Sequence, residues 1–199
     1  MIRKPKKWEP QKNHVLGIVV MLLVLSLICN IFWMPREPPD RLSSWIAEQN
    51  PRLDTEQSER YAKLIKFYTE KHTVNTRLYA AVIASESHFD CMSLSPMNCV
   101  GLAQVRYRYP NKKTKAGKTI LGNLVHPEIM KKLGVTCRAD LFQIETNLEA
   151  GCVILAANLK QEKTLALALK KYIGAQQNLK SWQKYMQKIF RLMAEYEVQ

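Results

Sequence analysis

Glycine is scarce in this sequence, 7 of 199 residues, and proline adds only 9. Collagen-like and low-complexity chains are thereby excluded, and the lack of any fixed-period self-similarity excludes a repeat architecture. Acid is short as well: 17 Asp+Glu stand against 30 Lys+Arg, a formal net charge of +13. That excess of base points to a polyanionic partner, whether nucleic acid, an anionic membrane face or a cell-wall polymer. No C-x-x-C occurs, and His72, His88 and His126 are scattered, so the ligand spacings of a zinc site are missing. Strand-like alternation is nearly absent too. What is present is 47% hydrophobic residues, too many for a disordered tail, in a length that suits one domain plus something small.

The something small is an apolar run from Val15 to Trp33, 19 residues without a formal charge, close to the ~20 that span a hydrocarbon core as a helix. A cleaved signal peptide is the competing reading, but the run exceeds the usual h-region and no small-x-small cleavage site follows. A lipoprotein signal at Cys29 would want a small residue where Ile28 stands. Arg3, Lys4, Lys6, Lys7 and Lys12 precede the run with only Glu9 against them, whereas Arg36 beside Glu37 follows it. The positive-inside rule then keeps the amino terminus in the cytoplasm. The expected organisation is a cytoplasmic basic tail (1–14), a single transmembrane helix (15–34), a Pro-rich spacer (35–41) and a folded periplasmic domain (42–199). Cys91, Cys99, Cys137 and Cys152 would then lie on the oxidising side. Four cysteines allow three connectivities, and the pairs that close short local loops, Cys91 with Cys99 and Cys137 with Cys152, are preferred.

Beyond the spacer the apolar period is that of helices, which predicts a mainly α domain. Tyr61, Leu64, Ile65 and Tyr68 form one stripe; Leu78, Val82 and Glu86 share a face after an Asn75-Thr76 start; Leu148, Cys152, Leu155 and Leu159 form another. Thr146 with Glu149 three residues on reads as a capping box opening that third helix. Leu165, Ala168, Leu169 and Tyr172 give a shorter helix. Trp182, Tyr185, Met186, Ile189, Leu192, Met193 and Tyr196 give a long final one, whose aromatic and Met stripe reads as core. From Arg106 to Lys118 six positive charges and no acid mark a solvated basic loop, with tyrosines that suit a polyanion or a sugar or base ring.

Glu86 is the acid that stands out, because it ends an otherwise apolar helix face just before a Ser- and Pro-containing loop. A half-buried carboxyl there would have a raised pKa, which suits a general acid at neutral pH. Asp90, at i+4, is the tempting second carboxylate, but Asp leaving a helix commonly serves in a local turn.

Around Glu86 stand Ser85-Glu86-Ser87-His88-Phe89-Asp90, then Ser95-Pro96-Met97-Asn98-Cys99-Val100-Gly101-Leu102-Ala103-Gln104, then Thr146-Asn147-Leu148-Glu149-Ala150-Gly151. In order and spacing these resemble the lytic transglycosylases of the soluble-lytic-transglycosylase (SLT) type, glycoside hydrolase family 23, related to goose-type lysozyme. That family's pattern is E-S-x-F, S-x-x-G-A-x-G-L-M-Q, T-N-x-x-A-G and A-Y-N, and the likeness covers about residues 75 to 175. Three departures stand out. Ala103 replaces the usual Met beside the sugar, Ile173 replaces the Asn after Tyr172, and the segment between Val105 and Val135 is longer than usual.

The resemblance implies a lysozyme-like helical fold and cleavage of the β-1,4 bond between N-acetylmuramic acid and N-acetylglucosamine, leaving a 1,6-anhydromuramic end. It needs no cofactor and no metal. Glu86 would be the catalytic acid, Ser87 would position it, and Gly101, Gln104 and Tyr172 would line the substrate cleft. The implied partners are peptidoglycan strands, the inner membrane through the amino-terminal helix, and components of a secretion, conjugation or phage-entry machine; the domain would be periplasmic, or virion-associated in a phage. Three alternatives stay open. One is a wall-binding or assembly module with a degenerate cleft; another is a basic membrane protein that binds nucleic acid through the Arg106–Lys118 loop. A hydrolytic lysozyme is a third, separable by its products.

Overall fold

The computed structural model describes residues 40–107, 127–174 and 179–198. The expected basic tail, membrane helix and most of the spacer, and the basic loop from Arg108 onward, lie outside the described residues. Among the described residues no helix is long and apolar enough to cross a membrane.

Asp40 opens the folded unit. Its carboxylate accepts from Leu42 N and Ser43 N and so caps α1 (Arg41–Gln49), which places the last two positions assigned to the spacer in the domain. Then come α2 (Thr55–His72), α3 (Thr76–Ser87), a two-stranded antiparallel hairpin of β1 (Cys99–Val100) and β2 (Val105–Arg106), α4 (Pro127–Lys132), a 3-10 turn (Arg138–Phe142), α5 (Ile144–Gln161), α6 (Leu165–Ile173) and α7 (Leu179–Val198). The mainly α expectation is met; the hairpin, too short for any alternation, was not legible in the sequence.

α3 is the central helix. Its residues Tyr79 to Ala84 are buried on every side rather than on one face, because α2 and α7 both pack against it. α2 in turn holds α1 and α5, and α5 holds α6. The small side chains Ala80, Ala81 and Ala84 let these neighbours approach closely. Asn75 caps α3 through Leu78 N at 2.9 Å, as the Asn75-Thr76 start predicts.

α5 differs from its expected start. It begins at Ile144 with Gln143 as cap, so Thr146 lies inside the first turn and the Thr146–Glu149 capping box does not form. The reason is tertiary: Asn147 must already be helical to reach the hairpin and the 3-10 turn, as described below. Gly151 in this helix has a packing reason. A Cβ there would meet Tyr79 Oη at 2.6 Å and Tyr172 Oη at 3.0 Å. Gly151→Ala is therefore expected to lower stability by about 1–3 kcal/mol, the usual cost of overpacking, read as a lower denaturation midpoint at unchanged m-value.

The two expected disulfides are absent: Cys91, Cys99, Cys137 and Cys152 are all free thiols. Members of each expected pair face different neighbours. Cys152 is buried in α5, where its thiol, pushed up to about 12 by burial, points at the Tyr68 carbonyl of α2 at 3.4 Å. Cys91 lies against the Tyr61 hydroxyl, Cys99 sits in β1 beside Ser95, and Cys137 caps the 3-10 turn.

Candidate active site

Glu86 is the penultimate residue of α3. The chain leaves the helix through two consecutive left-handed residues, His88 (φ 51°) and Phe89 (φ 58°), a conformation that costs non-glycine residues about 1 kcal/mol each. Phe89 offsets that strain: its ring is fully buried, edge-on to Trp45 at 5.9 Å. The helix end carrying Glu86 is thus pinned from both sides. Asp90 then accepts from Met92 N at 2.9 Å, the local turn role expected of it.

α7 crosses this end. Tyr185 Oη donates to Glu86 Oε1 at 2.9 Å, and Lys188 Nζ donates to the Ser85 carbonyl at 3.0 Å. The lysine meets a carbonyl of the last turn, where a cation is favoured. Burial pushes the Glu86 carboxyl up to about 7, against the opposing pull of the Tyr185 hydrogen bond and the Lys188 charge. Lys188 itself is lowered by its own burial, and His88, largely exposed, is lowered by partial burial and by the Lys188 charge. A carboxyl in this state carries a proton near neutral pH and can give it up and regain it.

The loop that follows α3 is fastened from within. Gly101, at φ +74°, sends its N–H to the Ser93 carbonyl at 2.9 Å, and a Cβ there would strike the Asn147 amide, with Cγ at 2.7 Å. Gln104 Nε2 donates to the carbonyls of Gly101 (2.9 Å) and Ser93 (3.2 Å). Tyr172, with no exposed surface, donates to the Ala103 carbonyl at 2.9 Å. Asn147 joins three segments: its Oδ1 accepts from Ala103 N, and its Nδ2 donates to Val100 O and Leu141 O, each at 2.8 Å. Burial raises the Cys99 thiol in the hairpin, with the Glu86 charge adding to the rise and Ser95 and Arg106 opposing it.

These contacts revise the expected site. Ser87 does not bond Glu86; its hydroxyl donates back to the Ile83 carbonyl at 3.2 Å, the usual option for a helical serine. Gly101, the Gln104 N–H groups and the Tyr172 hydroxyl hold the loop, so what these groups visibly do is shape it. Ala103 is fully buried with its Cβ turned toward Gly151, so the exchange from the family's Met alters packing against α5 rather than a surface offered to a sugar. Sequence reasoning read Tyr185 as part of the core stripe and did not single out Lys188. It passed over Asn147, which sat inside a matched motif without an assigned role.

The model of one family, the transglycosylase SLT domain, matches residues 63–189, a stretch that holds Glu86, the fastened loop, Asn147 and most of α7. The chain belongs to the transglycosylase SLT family. It is a peptidoglycan lytic transglycosylase, a lyase-type glycosidase, and peptidoglycan is its substrate. No curated protein matches the chain. For an SLT domain the Glu86–Tyr185 pair makes a pH effect accessible. The hydroxyl stabilises the ionised carboxylate, so Tyr185→Phe is expected to raise the Glu86 pKa further and move the alkaline limb of kcat/KM to higher pH. A pH profile with an unmoved limb would show that the bond does not persist in the working enzyme.

Proposed function

We propose that Glu86 is the single acid and base of a membrane-tethered lytic transglycosylase that opens peptidoglycan locally. The observation that carries this is the Glu86 carboxyl at the pinned end of α3, held by Tyr185 and raised to about 7. Tyr185 occupies Oε1, which leaves Oε2 to protonate the glycosidic oxygen. The bond from that oxygen to the muramic C1 breaks, and the substrate's acetamido group stabilises the oxocarbenium-like centre. The Glu86 carboxylate then takes the proton of the muramic 6-hydroxyl, the O6–C1 bond closes the 1,6-anhydro ring, and the acid is restored without net addition of water. Such a cycle needs one carboxylate, and Asp90 has its own turn to hold.

The uncharged run at 15–34 and the basic residues before it support a single pass through the inner membrane with the amino terminus cytoplasmic and the domain periplasmic. A tether of this kind confines cleavage to one place, which suits a component of a secretion, conjugation or phage-entry machine. The test is digestion of purified peptidoglycan by the full chain, with the products identified by mass spectrometry. Anhydromuramic ends are the expected result; reducing ends would make the chain a hydrolase, and wall binding without products a degenerate cleft. Protease protection of the tail in inverted and right-side-out vesicles checks the orientation.

A further inference from the structure

We infer that Trp182 is a stacking platform for an N-acetylhexosamine ring of the glycan next to the scissile bond. The inference rests on the reading of Glu86 as the acid and adds a binding subsite to it. Trp182, Tyr185 and Lys188 recur every third residue along α7 and so share one stripe. Two of them touch the end of α3, Tyr185 at Glu86 and Lys188 at Ser85. Trp182 lies one step from Tyr185, about 4.5 Å along the axis on the side away from Lys188.

Trp182 packs at the edge of the core, and its ring is arranged differently from that of the fully buried Trp45. Trp45 meets Phe89 and Tyr196 edge-on at 89° and 88°. Trp182 instead lies nearly parallel to Tyr185, at 21° and 6.1 Å between centroids. The two layered rings, the inner one bonded to the acid, extend an aromatic pair outward along α7 from Glu86. Trp182 is half-buried, so part of the indole faces solvent, whereas Trp45 is 1% exposed.

The side chains expected to hold the sugar are largely engaged elsewhere. Tyr172 has no exposed surface, the Gln104 amide donates to two carbonyls of its own loop, and Ile173 stands where the family has an asparagine. With the Gln104 N–H groups and the Tyr172 proton engaged in the loop and the asparagine missing, apolar stacking adds to recognition beside Glu86, which the C–H face of a pyranose and an indole both suit.

The test uses the full chain with Trp182→Ala and Trp182→Phe. On soluble glycan strands, Trp182→Ala is expected to raise KM about tenfold with kcat within about twofold, the mark of lost binding to ground and transition state alike. Trp182→Phe keeps a ring and is expected to fall between. In a Glu86→Gln background, an N-acetylglucosamine tetramer is expected to change the tryptophan fluorescence, and the change to vanish in Trp182→Phe while calorimetry still detects binding. An unchanged KM in Trp182→Ala, or saturating tetramer with no change in fluorescence, overturns the inference. Should Trp182→Ala not fold, the fluorescence comparison with Trp182→Phe decides alone. Tetramer binding through Trp182 by a chain that makes no product sinks the Glu86 reading and keeps the subsite; normal cleavage with indifferent Trp182 variants does the reverse.

Discussion

Glu86→Gln is expected to lower kcat on peptidoglycan by about 10²–10⁴-fold, the span that general acid–base catalysis contributes, while making the protein more stable at neutral and alkaline pH. The two effects share one cause. In the fold the carboxyl titrates at about 7 against an ordinary value of 4.5, mainly because burial disfavours its charge. Below about pH 4.5 it is protonated whether the chain is folded or not, and it contributes nothing to the pH dependence of stability. Between about 4.5 and 7 the unfolded chain loses the proton first, so stability falls as pH rises; above about 7 the penalty is complete. Glutamine keeps the shape and removes the charge. Part of the side chain still meets solvent, which discounts the gain to the order of 1–3 kcal/mol at pH 8. Thermal melts of both proteins at pH 5 and pH 8 check it: the advantage of Glu86→Gln should be small at the lower pH and larger at the higher. A variant that loses activity and stability together at both pH values would mark Glu86 as structural, and the acid would have to be sought elsewhere.

The second large effect is expected at a residue that touches no substrate. Asn147→Ala strips three buried hydrogen bonds at once and leaves Ala103 N, Val100 O and Leu141 O without their partner. Each orphaned buried group costs about 1–3 kcal/mol, so a loss of about 3–5 kcal/mol is expected, a large part of a small domain's stability. The comparison with Asn147→Asp separates the contributions, since the carboxylate can still accept from Ala103 N but donates to neither carbonyl. Urea unfolding gives the stabilities. Activity measured well below the melting temperature gives the rest: because Asn147 ties the hairpin, the 3-10 turn and α5 together around the Gly101–Gln104 loop, Asn147→Asp is expected to lose kcat beyond what its unfolded fraction explains. A loss of activity that simply tracks the unfolded fraction would show that the clamp holds the fold and does not tune the site.

The local part of this architecture was written in the sequence. The apolar period of α2, α3, α6 and α7 is a property of neighbouring residues, and Asn75 ahead of Leu78 fixes where α3 starts because a side-chain cap needs only three residues. Glu86 at the end of an apolar helix, followed by Phe89 and the Gly101–Gln104 and Asn147–Gly151 segments, was enough to single out the acid and to point to the family. Even the rise in its pKa followed from an acid set in an apolar face. What lay beyond reach of the sequence were contacts across long stretches of chain. Tyr185 is 99 residues from the carboxyl it binds and sits in a stripe that any buried helix would show. The direction of Ala103 toward Gly151, the Asn147 clamp and the separate surroundings of the four thiols depend on where α5 docks on α2 and against the loop. Periodicity states which face of a helix is apolar; only packing decides which partner that face meets, and therefore which of its polar atoms stand beside the acid.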